Sequence, residues 1–397
     1  MAFRAFYALP VDSFTTSTGQ STNAVHGFVS MFLSLLEHEE PTHVAVAFDL
    51  PGGTFRTEEY ADYKGTRDET PEPFVGQVEL IEDVLEAMNV RALTASGYEA
   101  DDILATLAAS AQAEGMEVLV CSGDRDSFQT VTDRCTVLYP VKGVSTLRRM
   151  TPAEVEKRYG VPPERYPQLA ALVGETSDNL PGVPGVGPKT AAKWITLYDG
   201  LDGVIARADQ IKGKAGQSLR KHMADVVRNR RLNHLVTDLD LKVAPAADLA
   251  LRPADRGALA RVMDALEFRT LHQRAQRILT FSDIAGGAGG TGGTAGESSP
   301  LAATAPPAPS EASEKVRIRW ARWWRVRSSR TSMTRASAPR SAGRRGRSAA
   351  GATSRSRSVT RRLRRRLRTT SAMWSRRDWP ALPLIWSARA ITPSSPS

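Results

Sequence analysis

Two short valine-rich runs, "THVAVAFD" (42–49) and "EVLVCSGD" (117–124), fix most of what this chain can become. Each is apolar almost throughout, as a strand buried on both faces must be, and each ends on an aspartate where the strand gives way to a loop. Between them, apolar residues recur at helical spacing over about 75–88 and 101–114. Strands alternating with helices predict an α/β domain with a mainly parallel sheet flanked by helices, whose sites gather at the carboxyl ends of the strands. Asp49, Asp124 and Asp126 fall on that edge.

More acids join them. "GYEADDIL" (97–104) puts Glu99, Asp101 and Asp102 at the start of the second helical pattern, and "GETSDNLPG" adds Glu175 and Asp178. Acids in a first helical turn also complement the helix dipole, and "DRD" at 124–126 also reads as a solvated turn. Taken together, carboxylates converging on one edge repel unless a multivalent cation neutralises them, and two hard Mg²⁺ or Mn²⁺ ions suit all-oxygen ligands. Such ions position and ionise water and stabilise the oxygens of a phosphodiester displacement.

Past about Met150 the pattern turns helical. "TPAEVEKRYG" reads as a capped helix start, and "LPGVPGVGPKTAAKWI" as a glycine hairpin feeding a helix. Gly182, Gly185 and Gly187 permit the hairpin, and backbone N–H groups around Lys189 at the helix start suit a phosphate without reading a base. A plain helix-loop-helix connection is the alternative. "FRTEEYADYKGTRDETP" (55–71) offers Arg56, Tyr60, Tyr63, Lys64 and Arg67 to phosphates and unpaired bases, or else forms a solvated loop.

Charge divides the chain. From Lys315 onward there are 23 basic residues against one acid, Asp378, leaving 30 basic and 42 acidic residues in the first 314. The net +10 therefore belongs to the tail, and the body carries −12. The tail also holds six of the seven tryptophans, in no helical or strand period. Disorder is expected there, whether the segment is an arginine-rich arm on nucleic acid or a frameshifted end of the coding sequence. The expected organisation is a catalytic domain over 1–165, a helix-hairpin-helix subdomain over 166–285, a Gly/Ala/Pro-rich linker over 286–314 and the tail over 315–397.

Two cysteines, Cys121 and Cys135, without zinc spacing fit a reducing cytoplasm. With no signal-like start and no run of 18 apolar residues, neither secretion nor membrane spanning is expected.

In this order and spacing, "FRTEEYADYKGTR", "GYEADD", "SGDRDSFQ" and "GETSDNLPGVPGVGPKTAAKW" resemble the 5′ nuclease (5′–3′ exonuclease) domain of bacterial DNA polymerase I, related to the flap endonucleases, over about residues 1–285. The resemblance implies a PIN-like domain with a helical arch, two divalent metals and a DNA-gripping hairpin. It further implies removal of RNA primers and 5′ flaps at nicks, with a separate DNA polymerase as a possible partner. It matches Asp49, Glu99, Asp101, Asp102, Asp124, Asp126 and Asp178 to metal-site acids, with Glu175 where many relatives have aspartate. It assigns Tyr63, Lys64 and Arg67 to the arch, Lys64 and Arg4 to the scissile phosphate, and Gly185, Gly187 and Lys189 to a duplex-gripping hairpin that commonly holds K⁺. The family has an apolar strand ending in an Asp-Gly-His type sequence before the segment that here reads "MAFRAFYALP", so that strand and one aspartate ligand are expected to be missing. A branched-DNA-binding protein with impaired catalysis is the alternative this leaves, and a PIN-type ribonuclease a more distant one.

Overall fold

Helix α1 (Ala2–Ala8) lies against α2 (Asn23–Glu39) so closely that a Cβ on Gly27 would sit 2.7 Å from the Ala5 Cβ. The computed structural model describes residues 1–66, 69–142, 146–282 and 384–389. α2 is apolar on nearly every turn and buries Ala24, Phe28, Phe32 and Leu35. Its first N–H groups, from Ala24 and Val25, donate to the side-chain carbonyl of buried Gln77 at 2.8 and 3.2 Å, because its own N-cap, Thr22, makes no capping bond.

The first valine run becomes β1 (His43–Ala47), buried from Val44 onward. It leads through α3 (Phe55–Glu59) and α4 (Gln77–Ala87) to β2 (Arg91–Leu93), which pairs parallel to β1. Helix α5 (Ala100–Ala113) then crosses back to β3 (Glu117–Cys121), which is parallel to β4 (Cys135–Lys142); β5 (Thr146–Met150) returns antiparallel. The two predicted helices and the two predicted strands thus form where the apolar spacing placed them.

A helical region follows, opening with α6 (Pro152–Tyr159). Thr151 caps it by accepting from Glu154 N, and Gly160 ends it in the left-handed conformation at φ 72°. After α7 (Tyr166–Val173), a small hairpin of β6 (Gly174–Glu175) and β7 (Leu180–Pro181) feeds α8 (Pro188–Leu197). Then come α9 (Leu201–Ala206), α10 (Gly213–Lys221) and α11 (Met223–Leu232). One hydrophobic core runs unbroken from Ala45, Val118 and Leu104 through Leu169, Ile195 and Leu219 to Val226, so the sheet and the helical region share an interior.

The chain then turns back. After α12 (Pro245–Asp248), α13 (Arg256–Ala265) packs on α4 and α14 (Arg269–Ile278) on α2. Arg274 fixes that return by donating to Ser30 O, Ser34 Oγ and Glu37 Oε2 at 3.2, 2.9 and 2.7 Å. These helices, expected to continue the hairpin subdomain, pack on the amino-terminal layer instead.

The tail differs from expectation in one place. Residues 384–389, inside a segment expected to be disordered throughout, form β8 (Leu384–Arg389), which completes the six-stranded order β2-β1-β8-β3-β4-β5. The remainder of the 315–397 tail, and the 286–314 linker, lie outside the described residues.

Candidate metal centre

Asp49 and Asp124 gather at the carboxyl edge of the sheet because β1 and β3 each end just before one of them. Beyond β1, Asp49 Oδ1 accepts from Ala100 N at 2.8 Å, tying the strand end to the first turn of α5. Beyond β3, Ser122 accepts from Asp124 N at 2.9 Å and sits 3.4 Å from Asp101 Oδ1, while Asp124 Oδ1 accepts from Asp126 N at 3.0 Å. Beyond β6, a single helical turn brings Asp178 beside Glu175.

Asp126, Glu175 and Asp178 form the tightest group, with one carboxylate oxygen from each lying within 4.8 Å of the others. Burial, with Glu175, Asp124 and Asp178 facing it, holds the Asp126 carboxyl well above its ordinary range. Burial and then Asp124 and Asp178 push Glu175 up to about 8. Asp101 is also raised, by burial and then by Asp124 and Asp49. Asp126 Oδ1 is buried without a hydrogen-bond partner, and the three carboxylates could together hold a metal ion, hard oxygens being the donor set Mg²⁺ and Mn²⁺ prefer.

Tyr63 and Lys64, expected on an arch, both reach these carboxylates. Tyr63 donates its hydroxyl to Glu99 Oε2 at 3.2 Å and Asp178 Oδ2 at 3.3 Å. Burial, then those two carboxylates, raises its pKa well above normal, so it stays a donor. Lys64 is held in the left-handed region at φ 57°, with its N–H on Asp178 O at 3.0 Å and its Nζ on Glu99 Oε1 at 2.5 Å. Arg4 reaches the same edge from α1, donating to Gly123 O at 3.4 Å, and any Cβ on Gly123 would strike its Nε at 2.6 Å.

Asp102 and Arg56 do not take the positions the sequence suggested. Asp102, expected on a metal, is fully buried and accepts from Arg56 twice, at 2.7 and 2.8 Å, as well as from Glu99 N and Val236 N. Arg56, expected on nucleic acid, is 1% exposed and spends its remaining donors on Leu232 O and His234 O. Acid and base neutralise each other inside the protein because neither could be buried alone. Tyr60, also expected on nucleic acid, carries Arg228 over its ring at 4.0 Å. Arg67 lies outside the described residues. Ser122, at the centre of the aspartate loop, carried no motif in the sequence; its place directly after a buried strand was the one available signal.

The hairpin glycines divide by role. A Cβ on Gly182 would lie 1.9 Å from Val173 O, so this glycine lets β7 pass the end of α7. Gly185, at φ 82°, and Gly187, the N-cap of α8, face open space, and Lys189 beside them is exposed.

Residues 1–160 match the family model described as the 5′–3′ exonuclease N-terminal resolvase-like domain, and residues 161–257 match its C-terminal SAM-fold domain. The chain belongs to the 5′–3′ exonuclease family. Both halves of the family's fold are therefore present, α/β and PIN-like first and helical second. DNA polymerase I of Mycobacterium leprae is 52% identical to this chain over 274 residues, which make up 69% of this chain and 30% of that protein. DNA polymerase I of Bacillus subtilis is 38% identical over 275 residues, again 69% of this chain and 31% of that one. The chain thus spans less than a third of the length of these relatives. Among solved structures, zinc-bound T5 5′-exonuclease aligns with a TM-score of 0.46 at 22% identity, covering 64% of this chain and 89% of that one. The catalytic core of Rad2 in complex with DNA aligns with a TM-score of 0.46 at 17% identity, covering 70% and 87%. No helix among the described residues is long and apolar enough to cross a membrane.

Proposed function

We propose that this 5′–3′ exonuclease chain hydrolyses phosphodiesters in DNA carrying 5′ flaps, nicks or RNA primers, using two Mg²⁺ or Mn²⁺ ions. The observation that carries the reading is the trio Asp126, Glu175 and Asp178, two of them buried and one half-buried, whose carboxylates crowd one another and leave Asp126 Oδ1 unsatisfied. That trio and Asp124 would hold one ion, and Asp49, Glu99 and Asp101 a neighbouring one. When bound, the ions supply an ionised water and charge stabilisation for the attacking and leaving oxygens.

The chain's own residues do the rest. Tyr63 keeps Glu99 and Asp178 oriented through its hydroxyl. The Lys64 ammonium neutralises Glu99 in the free protein, and is the nearest cation for a phosphate oxygen once that carboxylate has another partner. Arg4 sits where β3 ends beside Asp124 and offers a second cation to the same phosphate. At a distance, Gly185, Gly187 and Lys189 present open backbone and one positive charge at the start of α8, a grip suited to duplex phosphates.

Cleavage of a 5′-flap DNA, measured alongside Mn²⁺-dependent thermal stabilisation, tests the assignment. Asp178→Asn should abolish cleavage and weaken the Mn²⁺ shift, while flap binding in EDTA persists. Undiminished cleavage by that variant would remove the trio from the mechanism.

A further inference from the structure

Two turns meet beside the carboxylates, and each holds a non-glycine residue in the left-handed region: Lys64 at φ 57° in one and Asn179 at φ 56° in the other. That region is costly for most residues that carry a Cβ, and asparagine is among the few that tolerate it. Each of the two residues is bonded to the other's turn. Lys64 N donates to Asp178 O at 3.0 Å, and Asn179 Nδ2 donates back to Asp62 O at 2.8 Å. Asp62 O also accepts from Gly65 N at 2.9 Å, which closes the turn that carries Lys64.

Apolar packing brings the two turns together, because Tyr63 and Leu180, each adjacent in the chain to one of the bonded residues, share a small buried cluster with Leu232. Such contact is non-directional, so it sets proximity without fixing the angle between the turns; the two hydrogen bonds supply the direction. The angle matters because Lys64 Nζ reaches Glu99 Oε1 at 2.5 Å from one turn, while Asp178 of the carboxylate trio belongs to the other. Asn179 meets two demands at once. Glycine would accept the backbone angle but has no side-chain donor, and an ionised aspartate would turn an acceptor toward the Asp62 carbonyl.

The geometry points to Asn179 as a positioning residue for Lys64: its side-chain amide, through Asp62 O, clasps the Lys64 turn to the Asp178 turn and so fixes where the Lys64 ammonium stands relative to the carboxylates. The inference rests on the proposed role of Lys64 as a cation for the reacting phosphate, while the clasp itself is readable without cleavage. Asn179 acts through Lys64 and needs no contact of its own with substrate or metal.

Two measurements on the full chain test it. The first is amide hydrogen exchange without metal or DNA. In Asn179→Gly, which keeps the positive φ and removes the donor, the Lys64 amide should exchange about fivefold faster or more, while the amides of Ala191 and Ala192 in α8 keep their rates. An unchanged Lys64 rate, or an equal acceleration in α8, would overturn the clasp. The second is single-turnover cleavage of a 5′-flap DNA in Mg²⁺, run as a double-mutant cycle with Lys64→Met. Asn179→Gly should slow cleavage about fivefold or more with flap affinity in EDTA unchanged, yet slow it less than about twofold where Lys64 is already replaced. Equal slowing in both backgrounds would show that Asn179 acts other than through Lys64, and overturns the assignment. Should the unaltered chain leave the flap intact, the nuclease reading fails, and the exchange result still decides for or against the clasp.

Discussion

At the scale of single residues, adjacent acids on α5 have opposite fates. Asp101 and Asp102 follow one another in the sequence, yet Asp101 faces Asp124 and Asp49 while Asp102 is locked to Arg56. Asp102→Ala should therefore cost about 3 to 5 kcal/mol, because it strands a buried guanidinium, whereas Asp101→Asn should leave the metal-free protein as stable or more so and weaken its Mn²⁺ stabilisation. Urea unfolding in EDTA and thermal melts with Mn²⁺ separate the two. This is also where sequence stopped being legible. The motif offers Glu99, Asp101 and Asp102 alike, and nothing in "EADD" says which carboxylate a distant arginine will claim.

The same carboxylates set a pH dependence. Glu175, raised from 4.5 to about 8, binds its proton more tightly folded than unfolded. Its contribution to stability is complete below about pH 4.5 and is lost as pH rises toward 8. Asp126 and Asp101, raised for the same reason, add to that slope. The melting temperature of the metal-free protein should fall between pH 5 and pH 8, more gently in Glu175→Gln, and Mn²⁺ binding near pH 7 should release protons. Calorimetry in buffers of different ionisation enthalpy reads that release, and a melting temperature that instead climbs from pH 5 to 8 in EDTA contradicts the raised values.

At the scale of elements, period and punctuation carried most of the information. Valine runs ending in aspartate became β1 and β3, and Thr151 and Gly160 bounded α6 as capping rules require. The hairpin glycines were legible as a turn but not as separate jobs, since only packing shows that Gly182 must clear Val173 O while Gly185 faces outward. Substitution should expose the difference. Gly182→Ala forces β7 away from α7 and should be the more damaging to folding, whereas Gly185→Ala adopts a positive φ at a cost of about 1 to 2 kcal/mol. Lys189→Glu should leave the melting temperature unchanged, weaken duplex binding equally for every sequence, and lower the salt slope of binding by about 1 or more. Sequence-dependent loss in a binding series would exclude the backbone grip.

At the scale of the whole molecule, the boundary suggested by composition is not the boundary of the interior. One core spans the sheet and the helices as far as α11, and α13 and α14 then return to α4 and α2, a long-range pairing that local periodicity cannot announce. The family match ends at residue 257, yet Leu259, Val262, Met263, Leu266, Phe268, Leu271 and Ala275 beyond it are all buried. Phe268 stands edge-on to His26 at 5.1 Å, and Glu267 accepts from the Ser17 N–H and hydroxyl, so the return also holds the loop before α2. At about 1.5 to 3 kcal/mol for each large apolar side chain, this layer represents on the order of 10 kcal/mol, comparable to the entire stability of a typical domain. A chain ended at residue 257 should therefore lose its cooperative melt altogether, despite keeping every candidate metal ligand and the whole hairpin. The milder variant Leu271→Ala should lower stability by about 2 to 5 kcal/mol in a single transition that takes the sheet and the helical region down together. Calorimetry decides it: two resolved transitions in Leu271→Ala, one for each half of the family match, would show that the shared core does not couple them.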